Sequence, residues 1–307
     1  MDVEKQKEEW FKRRRLVAWF GLVQQALVYF EYSAVSISAM YYYKNTMGVT
    51  NPRFLYGFSM AVTYISIILS VILFGNYMDK TRNLRRIVFI SISCSILGNI
   101  LYTMSFNAWV TVFGRFLCGI NEGGRVALTG EISRIYNREE LGKIFSMWQI
   151  VGAVCLSLAP CTPLLFLGIK FEIIHNTWII NQNNFVGLFL AISFILMWIA
   201  ACFCISNLTL DPIYQQIKCE ILEKAHENVT FAKDEEKQKD LENISDDILI
   251  THKLWTLKNV LKRADVFLVL FSSAILMGQY FQAEVLINMI SLYHFNFTMS
   301  KLAFATV

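Results

Sequence analysis

Seven long apolar stretches divide this 307-residue chain, and they constrain its fold more than any other feature. A helix needs about 20 apolar residues to cross the hydrocarbon core of a bilayer. The stretches lie at about 16–40, 54–77, 87–106, 109–129, 144–169, 184–205 and 266–289, and an eighth covers only 300–307. Backbone polar groups must be satisfied internally in lipid. We therefore predict that each stretch is a helix and that the chain is an all-α membrane protein.

The composition excludes several other classes of protein. Charged residues make up 17% of the chain and hydrophobic residues 55%, whereas a soluble domain typically has about 25% charged residues. The chain carries no catalytic triad, phosphate-binding loop, dinucleotide-binding motif or metal-ligand spacing. Six of the seven cysteines lie in the apolar stretches, and no spacing indicates a disulfide framework. We expect neither an enzyme nor a bound cofactor.

The distribution of basic residues predicts how the chain is oriented. Most of the 28 Lys and Arg residues lie before the first stretch, between the second and third, between the fourth and fifth, or after the sixth. The opposite side holds only Lys44, Arg53 and Lys170. Because basic loops stay on the cytosolic side, the N-terminus is predicted to be cytosolic. The net charge of +4 thus reflects topology and indicates no nucleic-acid partner.

Four regions follow from these patterns. Residues 1–15 form a basic cytosolic N-terminus, residues 16–206 form a six-helix half, residues 207–263 form a charged linker, and residues 264–307 contain span seven and part of span eight. Six helices, a polar linker and the beginning of a second set of spans are typical of transporters built from two six-helix halves. We expect the chain to be a truncated form that stops within span eight.

The connection after span two carries the most specific motif. It begins with a glycine, continues with an aspartate and a lysine, and ends in a basic pair, at Gly75, Asp79, Lys80, Arg85 and Arg86. This pattern resembles the signature loop of the major facilitator superfamily, which latches the two halves together in one state of the transport cycle. We call these five positions the latch residues. The alternative interpretation is an ordinary basic cytosolic turn.

Three local expectations accompany the latch residues. Gly75 should permit close helix packing, and Asp79 should accept hydrogen bonds from a helix N-terminus or pair with a basic residue. The second glycine of the family pattern is replaced by Arg82. Asn83 is expected to adopt the left-handed conformation that this glycine would supply, because Asn tolerates positive φ better than most residues.

Span four combines charged residues with small ones. Arg115 and the glycines that follow it resemble the superfamily's second signature, and Gly119 and Gly123 form a small-residue stripe for close helix contact. Glu122 lies seven residues after Arg115 on the same helical face, and Arg125 lies three residues after Glu122. Charges at membrane depth are costly. They predict a polar relay beside a substrate route or, alternatively, a neutralised structural pair.

Three other spans contribute candidate residues. Glu31 in span one is a carboxylate at membrane depth and a candidate proton carrier, or else a carboxylate bonded to nearby Ser or Tyr. Glu284 in span seven is a second candidate, because this span lines the central cavity in the superfamily. Gly152 and Pro160 in span five resemble the third signature, in which Gly and Pro bend the helix for gating, although a packing kink is an equal alternative.

The resemblance extends to one branch of the superfamily. The Glu31-Tyr-Ser phrase, the glycine-rich run after Gly114 and the Arg138-Glu-Glu phrase are similar to the lysosomal branch typified by major facilitator superfamily domain-containing protein 8. It implies a secondary active transporter that moves a small solute by alternating access, coupled to protons, in the endolysosomal membrane. The alternatives are an endolysosomal anion channel that conducts chloride and a non-transporting truncated fragment.

Overall fold

A computed structural model describes residues 3–166, 168–174, 178–217 and 219 of the 307-residue chain. Predicted span seven with Glu284, the partial span eight, and the predicted linker beyond residue 219 lie outside the described residues.

Six long helices and one short helix make up most of the described part of the chain. They are α1 (Val3–Tyr41), α2 (Pro52–Thr81), α3 (Leu84–Thr103), α4 (Ala108–Ile135), α5 (Arg138–Leu158), α6 (Thr162–Leu165) and α7 (Phe185–Cys204). The six long helices correspond to the first six apolar stretches, which confirms the predicted helical fold. α1 spans 39 residues because the basic N-terminal segment is also helical from Val3 onward.

Within the described residues, four helical segments are long and apolar enough to cross a membrane. They are Pro52–Thr81, Leu84–Thr103, Arg138–Cys161 and Phe185–Leu210. The other two long helices, α1 and α4, are more polar. Both carry buried polar and charged side chains, among them Glu31 in α1 and Arg115 in α4. Among the described residues, these two helices therefore supply the buried charged side chains Glu31, Arg115 and Glu131.

Helix α4 lies between α2 and α3, α3 also packs on α7, and α1 packs on α5 and α7. Small residues set the spacing of α4. A Cβ atom added to Gly119 would lie 2.6 Å from the Thr63 carbonyl oxygen, and one added to Gly123 would lie 2.7 Å from the Ser70 backbone. The contact between α2 and α4 therefore involves backbone on both sides, and it leaves no room for a side chain at these glycines.

The prediction that span five continues to about residue 169 is wrong. α5 ends at Leu158, and Pro160 lies in a short 3₁₀ turn, Ala159–Cys161, before α6. Proline has no backbone N–H and its ring clashes with the preceding turn, which explains why the α-helix ends here. An antiparallel hairpin of β1 (Lys170–Ile174) and β2 (Trp178–Asn181) then connects to α7, with Lys170 paired to Asn181.

The short connection between α2 and α3 also differs from the expectation. The left-handed residue is Arg82, with φ of +54°, whereas Asn83 has φ of −95°. Asn83 is the N-cap of α3, and its side chain accepts a hydrogen bond of 3.3 Å from the backbone N–H of Arg86. Asn is a favoured N-cap residue. The capping bond places Asn83 at the start of α3, so the arginine before it adopts the strained conformation.

Replacing Arg82 with Gly should stabilise the folded chain by about 1 kcal/mol, because Gly adopts positive φ without the steric cost of a Cβ atom. Arg82→Ala serves as the control, since it removes the charge and retains the Cβ atom. Thermal unfolding in detergent should show a higher midpoint for Arg82→Gly than for Arg82→Ala. Equal midpoints for the two variants would show that the backbone strain is negligible.

Candidate functional site

A buried ion pair joins the C-terminal part of α1 to the N-terminal part of α4. Arg115 Nη1 donates a hydrogen bond of 3.1 Å to Glu31 Oε1, and each side chain is only 6% exposed. Asn99 of α3 donates a second bond of 3.0 Å to the same oxygen. The expected partners of Glu31, if structural, were Ser or Tyr; the structure gives Arg115 and Asn99 instead. The three residues tie three helices together.

A second ion pair lies within α4. Arg125 Nε donates a bond of 2.9 Å to Glu122 Oε1, and Arg125 Nη2 contacts the same oxygen. Arg125 Nη1 donates a bond of 2.7 Å to Gln25 Oε1 of α1. The Arg125 and Glu122 side chains are 21% and 18% exposed. This pair is thus more accessible than the Glu31–Arg115 pair, and its charged members belong to a single helix.

An amide pair lies beside the second ion pair. Gln24 Nε2 donates to Asn121 Oδ1 at 3.4 Å, and both residues are fully buried. Among the buried polar atoms that have no hydrogen-bond partner within the described residues, three belong to this region: Gln24 Oε1, Asn121 Nδ2 and the indole Nε1 of Trp148. Trp148 of α5 is also buried. Buried polar atoms are normally bonded, so these three offer unused hydrogen-bonding capacity inside the protein.

The two ion pairs and the amide pair form one polar seam between α1 and α4. Arg115 and Arg125 are ten residues apart, which corresponds to about 15 Å along a helix. The seam therefore runs along α4 for about three turns. Sequence reasoning selected Glu31, Arg115, Glu122 and Arg125 but missed their neutral neighbours on α1, α3, α4 and α5. The adjacent glutamines at 24 and 25, inside an apolar stretch, were the signal that could have found part of this set.

Gly152 of α5 lies against α1. A Cβ atom added there would lie 2.5 Å from Cδ2 of Tyr29. The glycine therefore allows the Tyr29 ring to lie directly on the α5 backbone, one turn from Gln25. Pro160 is buried in the turn that follows α5.

The latch residues do not form a loop. Gly75, Asp79 and Lys80 lie in the last turns of α2, and Arg85 and Arg86 lie in the first turn of α3. Within the described part of the chain, a Cβ atom at Gly75 would have no neighbour within 4 Å, so the expectation that this glycine permits close packing stays a prediction. Gly75 faces open space there because the close contacts between α2 and α4 involve the Ser59–Ser70 face of α2 instead.

Asp79 pairs with a basic residue, the second of its two expected interactions. Arg134 Nη2 at the end of α4 donates a bond of 2.7 Å to Asp79 Oδ1, and Arg134 Nη1 lies 3.8 Å from Glu131 Oε2. Glu131 is completely buried. Its Oε1 atom accepts bonds from the backbone N–H of Thr209 at 3.2 Å and from the Thr209 hydroxyl at 2.7 Å. The network thus connects α2, α4 and the segment after α7.

Residues 207–211 form what we call the anchor segment. Asn207 Oδ1 accepts a bond of 3.0 Å from the backbone N–H of Arg85, and the Trp10 indole donates a bond of 3.3 Å to the Leu208 carbonyl. Sequence reasoning placed the start of the solvated linker at residue 207. The first five residues of that linker are instead bound to α1, α3 and α4, because their polar groups match donors and acceptors at the helix ends.

Replacing Thr209 with Val should destabilise the folded chain by about 1–2 kcal/mol, because a buried carboxylate loses a hydroxyl donor. Thr209→Ser is the matched control, since Ser keeps the hydroxyl and loses only the methyl group. Thermal unfolding in detergent should show a lower midpoint for Thr209→Val than for Thr209→Ser. If the Ser variant is the less stable of the two, the bond to Glu131 contributes little to the stability of the anchor segment.

Arg14 joins the start of α1 to the connection between α4 and α5. Its guanidinium carbon lies 4.2 Å from the Tyr136 ring centroid, and Nη1 donates a bond of 3.2 Å to the Ile135 carbonyl. The Tyr136 hydroxyl donates in return to the Arg14 carbonyl at 3.1 Å. Burial raises the pKa of the Tyr136 hydroxyl above its ordinary value, and the Arg14 charge acts in the opposite direction.

The chain is similar to solved structures of two transporters. The chain is similar to a peptide transporter POT crystallised in complex with sulfate, with 14% identity over 83% of this chain and 50% of that one, and a TM-score of 0.47. It is also similar to a D-xylose–proton symporter, with 14% identity over 90% of this chain and 66% of that one, and a TM-score of 0.48. The chain spans about half the length of the peptide transporter.

No curated protein sequence matches the chain. The family comparison is more decisive, because the Major Facilitator Superfamily profile matches residues 21–307. This match includes the polar seam and the latch residues. The chain belongs to the major facilitator superfamily.

Proposed function

We propose that this chain forms the N-terminal half and the start of the C-terminal half of a secondary active transporter, which moves a small solute by alternating access and is coupled to protons. The polar seam between α1 and α4 is the observation that carries the proposal. Burying charges inside a membrane protein is costly, and such residues characteristically mark a substrate or ion route. We assign Glu31, Arg115, Glu122 and Arg125 to this route, together with Glu284 of span seven.

The latch residues supply the second part of the proposed mechanism. Asp79 and Arg134 hold the ends of α2 and α4 together. The anchor segment is bound to the same end of the helices through Glu131 and Arg85. We propose that this end moves as one rigid body when the N-terminal half rocks against the C-terminal half. The glycine contacts of α4 with α2 support this rigidity.

We propose that this end faces the cytosol and that the protein resides in the lysosomal or endosomal membrane. The basic residues Arg14, Arg85 and Arg134 all lie at the end where α1, α3 and α4 contact one another or the anchor segment. The positive-inside rule then supports a cytosolic N-terminus. The proposed organelle rests on the phrases shared with the lysosomal branch.

The test is solute uptake by the 307-residue chain reconstituted in liposomes with an imposed pH gradient. Wild-type protein should accumulate a transported solute only when the gradient is present. Arg125→Gln should reduce uptake by at least about tenfold, because a charged hydrogen-bonding group on the route is lost. Arg138→Gln, at an exposed position at the start of α5, is the matched control and should transport normally.

Three results would contradict the proposal. Uptake that is the same with and without the gradient would exclude proton coupling. Single-channel currents far above carrier turnover would instead establish the alternative, an anion channel that conducts chloride through the same seam. Absence of both uptake and current in folded protein would favour the non-transporting fragment.

A further inference from the structure

We propose that the Glu122–Arg125 pair, with Gln25, Asn121 and Trp148 around it, is an exchangeable binding site for a small organic anion. In this site Arg125 binds either Glu122 or the carboxylate or phosphate oxygens of the solute. The inference rests on the proposed transport function and names the chemical class of the solute. Four observations on the polar seam support it.

The first observation is that the two ion pairs differ in what they hold together. Glu31 and Arg115 belong to different helices and share Asn99 of a third. Separating them would separate α1, α3 and α4. Glu122 and Arg125 are one turn apart on α4. The Arg125 side chain can therefore leave Glu122 by rotating about its own bonds, with no change in helix packing.

The second observation concerns how Arg125 is bound. Its Nε and Nη2 groups both donate to one oxygen of Glu122, and Nη1 donates to Gln25. Arginine presents donors in a planar fork that matches a carboxylate or a phosphate bidentately. The present arrangement uses a single oxygen of the carboxylate. A free oxyanion that offers two oxygens to the fork would be a better-matched partner than Glu122.

The third observation is the unused hydrogen-bonding capacity nearby. Asn121 Nδ2 and Trp148 Nε1 are buried donors without a partner among the described residues. Asn121 lies four residues before Arg125 on the same face of α4. Trp148 lies against Gly21, which is one turn from Gln25 on α1. Unpartnered donors on residues at this level of α1, α4 and α5 are groups that an anion bound to Arg125 would satisfy.

The fourth observation is the charge balance. With Glu122 ionised, the pair is neutral and an added anion would leave one buried negative charge. With Glu122 protonated, Arg125 is left with a positive charge, and an added anion restores neutrality. Because uncompensated charge is costly inside a membrane protein, the anion and the proton should bind together. This linkage couples the solute to the proton within one site.

The experiment measures anion binding to the 307-residue chain in nanodiscs by isothermal titration. The probe is methanesulfonate, whose charge does not change over the pH range used, and neutral dimethyl sulfone is its uncharged counterpart. Methanesulfonate should bind more tightly at about pH 5 than at about pH 7.5, because proton binding to Glu122 and anion binding to Arg125 favour each other. Dimethyl sulfone should not bind measurably.

Variants test the residues separately. Arg125→Gln should weaken binding at least about tenfold, and Arg125→Lys should weaken it less, because Lys retains the charge and loses the fork. Glu122→Gln should bind methanesulfonate at about pH 7.5 more tightly than wild type does, and its binding should no longer depend on pH. This variant tests the inference if Arg125→Gln does not fold. Arg138→Gln is the control and should bind as wild type does.

Three results would overturn the inference. The first is that Arg125→Gln binds methanesulfonate as tightly as wild type does. The second is that dimethyl sulfone binds as tightly as methanesulfonate. The third is that chloride, at the same concentration as methanesulfonate, displaces it completely. The binding measurement needs no transport, so its outcome is separate from that of the uptake experiment. Transport of an uncharged solute without anion binding would overturn this inference and leave the transport function standing.

Discussion

Replacing Arg115 with Gln is expected to destabilise the folded chain by about 3–5 kcal/mol, the cost of leaving a buried charge without its partner. Glu31 is 6% exposed and would exchange its guanidinium partner for neutral donors such as the amide of Asn99. For a chain of this size the loss corresponds to a fall in the unfolding midpoint on the order of 10 °C. Thermal unfolding in detergent, followed by intrinsic fluorescence, measures it.

The double variant Glu31→Gln with Arg115→Gln is the decisive control. Removing both charges leaves no unpaired ion, and replacing a buried pair by neutral groups is often nearly neutral for stability. The double variant should therefore be more stable than Arg115→Gln alone. Arg125→Gln should also lose much less stability, since its pair lies within one helix and is about one-fifth exposed. A double variant no more stable than the single one would show that this pair does not hold the helices together.

Replacing Gly123 with Ala is expected to destabilise the chain by about 3 kcal/mol, at the upper end for an overpacked core. The added Cβ atom would lie 2.7 Å from the carbonyl group of Ser70. A backbone carbonyl cannot move aside as a flexible side chain can, so α2 would have to shift away from α4. A Cβ atom at Gly119 would lie 2.6 Å from the Thr63 carbonyl oxygen, so Gly119→Ala should destabilise the chain by a similar amount.

Gly130→Ala provides a matched control on the same helix. A Cβ atom at Gly130 meets nothing within 4 Å in the described part of the chain. There, Ala should increase stability by up to about 1 kcal/mol, because Gly is the poorer helix former. Unfolding midpoints should therefore move in opposite directions for Gly123→Ala and Gly130→Ala. Movement in the same direction would mean that the contact between α2 and α4 is looser than the structure indicates.

Local patterns predicted the helices and one of the two ion pairs. The apolar stretches located all six long helices, because a chain in lipid has few alternatives to a helix. The spacing of Glu122 and Arg125 placed them side by side, since residues three apart on a helix are neighbours. Both predictions depend only on residues close together in the sequence.

Long-range partners were beyond the reach of such patterns. Glu31 and Arg115 are 84 residues apart, and their meeting depends on how α1 packs against α4. Asn99 and Gln25 were missed for the same reason, because a neutral amide in an apolar stretch carries no sign of its partner. The seam is therefore only partly visible in the sequence, as isolated charges without their neutral neighbours.

Competition between local signals explains the two errors at helix ends. Asn83 suits both a left-handed turn and an N-cap, and the hydrogen bond to Arg86 decided for the N-cap. Pro160 was expected to bend a continuous helix. Instead α5 ends before it, a 3₁₀ turn that contains the proline follows, and the short helix α6 and the hairpin come after. In both cases the residue type correctly indicated a change in the backbone. The sequence alone did not distinguish a left-handed turn from an N-cap at Asn83, or a bend from a helix end at Pro160.

The coupling of a solute to a proton at the Glu122–Arg125 pair is tested in the Glu122→Gln variant. The experiment compares counterflow exchange with pH-driven uptake by this variant. Counterflow needs the carrier to cycle but needs no net proton movement, whereas accumulation against a gradient needs both. Reconstituted Glu122→Gln should retain counterflow and lose pH-driven accumulation. Accumulation at the wild-type level in this variant would show that Glu122 does not carry the coupling proton.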